Sequence, residues 1–144
     1  MNKYLAFNKP FEVLTKLSDH SGRKTLKDFI PIKGVYAAGR LDYRSECLLI
    51  LSNDGPMIQR LTHPRYCQPT KSDRDYHPTS WLKITLHEGK KNQIRRMTSA
   101  VGFPMLRSIR VSIGSIELGS LYPGELRFLS NTEISQLKQD LDFG

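Results

Sequence analysis

The sequence predicts an α+β fold: a mostly antiparallel mixed sheet with flanking helices. Three observations carry that expectation. Residues 46–52, ECLLILS, form a short continuous apolar block ended by Asn-Asp-Gly, the pattern of a buried strand. Residues 80–89, SWLKITLHEG, alternate Trp81, Lys83 and Thr85 against Leu82, Ile84 and Leu86, as a half-buried strand does. Residues 92–101 space Ile94, Met97 and Val101 by three and four, as a helix does. At 144 residues the chain is read as one domain, residues 1–144, long enough to bury a core.

The remaining elements follow in order. Residues 3–8 and 12–16 read as two short strands around a Lys9-Pro10 break. TLKDFI, residues 25–30, reads as a short helix ended by Pro31. VYAA, residues 35–38, reads as a strand feeding the turn before the apolar block. Asn53 or Asp54 is placed to cap a helix reaching about Leu61, with Met57, Ile58 and Leu61 on one side. The helix over 92–101 is ended by Gly102 and Pro104, and short strands are expected near 105–117 and 124–129. Ser130 opens a last helix, with Glu133 completing a capping box. Residues 63–79, HPRYCQPTKSDRDYHPT, fit none of this. They hold three prolines and almost no apolar side chains, and so long a structureless stretch is unusual in a compact domain.

No run of 18 apolar residues exists, so no membrane span is expected, and the N-terminus lacks the apolar core of a signal peptide. Cys47 and Cys67 fit neither a metal-ligand spacing nor a disulfide framework, which points to free thiols in a reducing cytoplasm. The charge is more specific. Residues 60–110 hold 11 basic and 3 acidic side chains, while the rest of the chain holds 11 of each, so the net +8 lies wholly in that stretch. Such a concentration suits a surface that binds nucleic-acid phosphates; a merely solvated basic face is the plainer alternative. Tyr66, Tyr76, Trp81 and Phe103 are too sparse there to argue base stacking.

Two places invite chemistry. Asp42, in GRLD, sits on a polar turn that enters the buried strand. HEGKKNQIRRM, residues 87–97, is a strand end and glycine turn opening a basic helix, in which Arg95 and Arg96 point away from the apolar side. A strand-end carboxylate beside a cleft arginine would stay ionised and rigid, as a nucleophilic aspartate must. The same pair also suits an ordinary turn aspartate and a structural ion pair. His63, His77 and His87 read as surface or loop residues, and His20 lies in the polar turn SDHSG. Trp81 reads as a core or cleft-wall residue, Met97 and Met105 as core filler.

At these residues the chain resembles a known family. GRLDYRSECLLILSNDG is similar to the aspartate motif of the pseudouridine synthases that modify bacterial ribosomal RNA, and HEGKKNQIRRM to their second motif. FNKPFEVLT and VGFPMLRSIR match as well, and RKTLKDFIP, GVYAAGRLD and PTSWLKITLHEG resemble the large-subunit synthases of the E type, which lack an N-terminal basic RNA-binding domain. The resemblance implies isomerisation of a specific uridine to pseudouridine in large-subunit ribosomal RNA, in the cytoplasm, without cofactor or metal. A monomer is expected. It makes Asp42 the nucleophile, attacking the base or the ribose carbon of the glycosidic bond, and Arg95 the arginine that pairs with it. Arg40 and Leu41 would shape the loop. The target base has to leave its stack, and Arg60, Arg65, Lys71, Lys90, Lys91, Arg96, Arg107 and Arg110 are the candidates for holding the RNA.

Two departures stand out. The family carries a Lys-x-Tyr strand after the helix that ends near LTHP, followed by a helix and another strand. Here LTHPRYCQPTK runs directly into SDRDYHPTSWLKITL, which puts a deletion seam near residues 67–79 and makes this a shortened pseudouridine synthase catalytic domain. No tyrosine stands two residues after Lys71; Tyr66 and Tyr76 flank the seam. The other departure is Cys47, which occupies a family glycine position, a costly exchange if the backbone there is left-handed. A catalytically impaired RNA-binding relic of the family is therefore the competing expectation.

Overall fold

The computed structural model describes residues 1–62, 70–71, 80–86 and 92–141, with backbone only at 70–71. Among them the order is β1 (Tyr4–Lys9), β2 (Tyr36–Ala37), β3 (Ser45–Ser52), α1 (Gly55–Leu61), β4 (Thr70–Lys71), α2 (Gln93–Ala100), β5 (Ser108–Arg110), β6 (Ser112–Ile113), β7 (Ile116–Glu117), β8 (Leu126–Phe128) and α3 (Asn131–Asp140). The main sheet runs β4-β5-β3-β1-β8, and β2 lies beside the last residues of β3. Only the β3–β5 pairing is parallel; the others are antiparallel, and β6 and β7 form a separate hairpin. The expected α+β architecture, a mostly antiparallel mixed sheet with helices, is what the chain forms. No helix among the described residues is long and apolar enough to cross a membrane.

β1 and β3 sit at the centre and are apolar on both faces, because both faces are covered. Tyr4 and Ala6 of β1 join Leu48 and Ile50 of β3 in one core, closed by Met57 and Leu61 of α1 and Leu137 of α3, with Leu141 just beyond. Leu5 and Phe7 join Leu49 and Leu51 in the other, closed by Val13, Leu26, Val35 and Leu41. The alternation along each strand sends successive side chains to opposite cores. The second core is covered by loops rather than by long helices, and the turn bearing Asp42 belongs to that cover.

The helix ends follow local chemistry. The Asp54 carboxylate accepts the Met57 backbone N–H at 3.3 Å and caps α1, with Pro56 in its first turn. After α2, Gly102 at φ +83 lets its N–H reach the Ser99 carbonyl at 3.1 Å and the Phe103 N–H reach Thr98 at 2.9 Å, a Schellman closure. Ser130 and Glu133 form the expected capping box, and Glu133 also takes a bidentate pair from Arg127 of β8, both bonds 2.8 Å. That pair holds the Glu133 carboxyl down at about 2 from 4.5. A depressed carboxyl stabilises the fold above its unfolded value, and the contribution is lost as pH falls from about 4.5 toward 2. Thermal melts at steps between those values should therefore fall more in the wild type than in Glu133→Gln.

Several expectations are corrected. Residues 12–16 form no strand: Glu12 turns at φ +55, and Leu14 makes only an isolated bridge to Thr25. Lys9 is not a break but the last residue of β1, which stops at Pro10 because proline cannot donate to the ladder. The helix expected over 25–30 is one 3-10 turn, Leu26–Asp28, where Asp28 accepts the Thr25 backbone N–H at 2.8 Å. Residues 80–86 form no strand, and Trp81, which is 48% exposed, is not a core residue. Alternation licenses a strand only where a neighbour completes the ladder, and no described strand pairs with this segment. The helix at 92–101 does form, but no residue of α2 is buried. Met97 is 48% and Val101 69% exposed, so the periodic face finds no opposing surface among the described residues and Met97 is not core filler. Met105 is partly buried.

Candidate active site

The turn before β3 is fastened from several sides. Gly39 turns the chain at φ +89, a conformation that suits glycine. Leu41 buries its side chain in the second core, and its carbonyl accepts the Thr15 hydroxyl at 3.3 Å. The Ser45 N–H closes the turn on the Asp42 carbonyl at 2.9 Å. The Tyr43 ring lies under the Arg23 guanidinium, 5.5 Å from centroid to carbon, and Arg44 approaches Glu12 at 4.0 Å. The Asp42 and Arg40 side chains are left exposed. A fixed backbone thus presents an accessible carboxylate, the arrangement a nucleophile requires.

Arg95 is half-buried on α2, and Arg96 is exposed beside it. Among the described residues no ion pair joins Asp42 to Arg95. The basic side chains separate by role. Arg110 is buried and donates from Nε to the Leu48 carbonyl at 2.8 Å, so reading it as an RNA contact is corrected: it ties β5 to β3 from within. Arg107 binds Glu46 bidentately at 2.7 and 3.0 Å, and Arg60 reaches the Leu141 carbonyl at 2.7 Å, beyond the end of α3. These two arginines hold elements together through those bonds. Lys71 lies in β4, an edge strand on β5, with Lys71 opposite Ile109. Arg65, Lys90, Lys91, the seam at 67–79, and His63, His77, His87 and Cys67 lie outside the described residues or mostly so.

Lys9 is the residue that motif reading missed. It is 0% exposed, and its ammonium donates to the carbonyls of Pro10 at 2.9 Å, Val13 at 2.8 Å and Tyr43 at 3.4 Å. Burial pulls its pKa down to about 8, opposed by the charges of Glu46, Cys47 and Asp42. The signal was present: a lysine closes a mostly apolar strand directly before proline.

Cys47 stands opposite Lys9 and opposite Arg110 in the sheet, at φ +79. The left-handed backbone that the glycine at this motif position implied is therefore present, occupied by a side chain with a Cβ. Burial pushes its thiol up to about 11. Relief of the strain outweighs the added freedom of the unfolded chain, so Cys47→Gly should stabilise the protein by about 1 kcal/mol. Chemical denaturation of the two proteins at equal ionic strength measures it; a destabilised glycine variant would contradict the strain.

Comparisons with known proteins bear on the family. No protein-family model matches the chain. It is 37% identical to the ribosomal large subunit pseudouridine synthase E of Vibrio parahaemolyticus, over 85% of this chain and 72% of that protein. It is 36% identical to the protein of the same name from Xanthomonas campestris, over 83% of this chain and 91% of that one. A solved structure described as a pseudouridylate synthase superposes with a TM-score of 0.78 at 26% identity, over 95% of this chain and 74% of that chain. The Vibrio alignment spans 171 positions but uses only about 122 residues here (85% of 144), so about 49 of its positions face no residue of this chain. With curated relatives this similar over most of both lengths, and a solved structure of the same fold, the chain belongs to the RNA pseudouridine synthase family.

Proposed function

We propose that the chain isomerises a uridine of large-subunit ribosomal RNA to pseudouridine, with Asp42 as the nucleophile. One observation carries the assignment of the residue: the Asp42 carboxylate is exposed while its backbone is fixed by buried Leu41 and by the bonds from Thr15, Lys9 and Ser45. The carboxylate attacks the flipped uridine at the base or at the ribose carbon. The bond between the ribose carbon and N1 breaks, the uracil turns, C5 bonds to the ribose carbon in place of N1, and the bond to the Asp42 carboxylate breaks to release the enzyme. The C5 hydrogen leaves as a proton and N1 gains one, so the reaction is a net isomerisation needing no redox partner. Arg95 approaches Asp42 when RNA is bound and keeps it ionised. Arg96, together with Arg65, Lys71, Lys90 and Lys91 on sequence grounds, holds phosphates, while Arg40 and Leu41 shape the loop around Asp42. The enzyme works as a monomer in the cytoplasm.

The test uses ribosomal RNA that lacks the modification and carries tritium at C5 of uridine. Release of tritium to water on mixing with the purified chain supports the reading. A second reading, an RNA-binding relic, is favoured by the lack of an ion pair to Asp42 among the described residues and by the unburied α2. A cooperatively folded chain that binds this RNA in a salt-dependent way without releasing tritium would establish the relic instead.

A further inference from the structure

We propose that Glu46, clamped by Arg107, is a positioning residue for the Asp42 turn and acts through the buried Lys9 ammonium. The inference rests on the reading of Asp42 as nucleophile, but its geometry stands alone. Three neutral carbonyls surround Lys9 Nζ: two belong to the segment after β1, Pro10 and Val13, and one to Tyr43, the residue after Asp42. An ammonium has three N–H donors and can serve all three. A neutral amine has two donors and a lone pair, so one carbonyl must lose its donor and face that lone pair. The longest of the three bonds, 3.4 Å to Tyr43, is the one that yields. The proton on Lys9 therefore decides whether the turn that carries Asp42 is tied to β1.

Burial works against that proton, and carboxylates must keep it in place. Glu46 of β3 is the strongest charge acting to do so, ahead of Cys47 and Asp42. Cys47 holds its own proton up to about 11, which leaves a neutral thiol beside Lys9 at neutral pH. Asp42, the weakest of the three, is the group that must meet the substrate. Arg107, just before β5, grips Glu46 with two bonds, and Arg110 of β5 is bonded to the Leu48 carbonyl. Glu46 makes no hydrogen bond or ion pair with Lys9 among the described residues, so its effect is through the field and its position has to be held by another group. The bidentate Arg107 supplies that hold, and it pins the parallel start of β3 and β5 immediately after the turn. The arrangement makes the catalytic turn sensitive to pH near 8, the value at which Lys9 titrates.

The experiment has one readout without activity and one with it. Lysine labelled with carbon-13 at Cε reports the Lys9 titration by NMR, and exchange of the Ser45 amide, corrected for its intrinsic pH dependence, reports closure of the Asp42 turn. In the wild type the Lys9 midpoint should lie near 8, with protection of Ser45 falling through the same midpoint. In Glu46→Gln both should move down together, by half a pH unit or more, and Glu46→Asp should restore most of the displacement. The single-turnover rate on unmodified ribosomal RNA should lose its alkaline limb at the same displaced pH, with KM changed less than kcat. A Lys9 midpoint unmoved by Glu46→Gln would overturn the coupling. Ser45 protection that is constant while Lys9 titrates would overturn its effect on the turn, even in the wild type alone should the variant fail to fold. A wild type without turnover that passes both NMR tests would sink the enzyme reading and leave the coupling intact.

Discussion

Asp42→Asn should abolish tritium release while leaving the protein folded and able to bind RNA. The loss should be at least a thousandfold in rate, which corresponds to about 4 kcal/mol of transition-state stabilisation. An amide cannot form the covalent adduct that splits the reaction into two easier steps, and no neighbouring carboxylate lies on the same turn to replace it. Stability should hardly change, because the side chain is exposed and makes no ion pair among the described residues. Affinity for RNA should hold or rise slightly, since a negative charge is removed from a surface that meets phosphates. This combination matters more than the loss itself. A variant that is inactive but melts lower, or binds less, would have lost its fold or its binding rather than its nucleophile. A variant that keeps its rate would show that another group attacks the uridine.

Phe7→Ala should destabilise the protein by about 3–5 kcal/mol, a large part of the ~5–15 kcal/mol that a domain of this kind possesses. Phe7 is fully buried, pairs with Leu49 of β3 and Leu126 of β8, and its ring lies 6.1 Å from that of Phe29. It fills the same core that seats Leu41, under cover made of loops. Such cover closes poorly over a cavity, because its segments are held by hydrogen bonds whose positions are fixed. The measurement is urea unfolding followed by circular dichroism, with the slope checked for constancy. A change below about 1 kcal/mol would mean that the second core is not well packed. The fall in activity at low temperature, where the variant stays folded, would then measure how far the Asp42 turn depends on the core beneath it.

The parts of the fold legible in the sequence are those decided locally. β3 was readable because an apolar run bounded by a turn has few alternatives, and α1, α2 and α3 because their caps and spacing agree. The Asp42 turn was readable because a polar loop abutting a buried strand is unusual. Cys47 was readable as a problem, because a side chain in place of the family glycine is costly if the backbone is left-handed, and the backbone there has φ +79.

Other features depended on what each residue meets. Residues 80–86 carry a strand pattern and α2 an apolar face, yet neither finds an opposing surface among the described residues, so the pattern alone did not bury them. Arg110 counted toward the basic stretch like its neighbours, but β5 turns it inward onto the Leu48 carbonyl. Charge is additive along a chain, whereas its destination is set by the pleat and the neighbouring strand. Lys9 looked like a break beside a proline, and only the meeting of two loops with β1 gave its ammonium three carbonyls to hold. The sequence by itself determined the nucleophile candidate, the caps of α1 and α3, the buried strand over 46–52 and the position of the basic excess, because each follows from residue type and short-range spacing. The tertiary structure alone decided which cations are structural, which apolar faces are covered, and that a buried lysine ties down the turn presenting Asp42, because those depend on contacts between segments far apart in the chain.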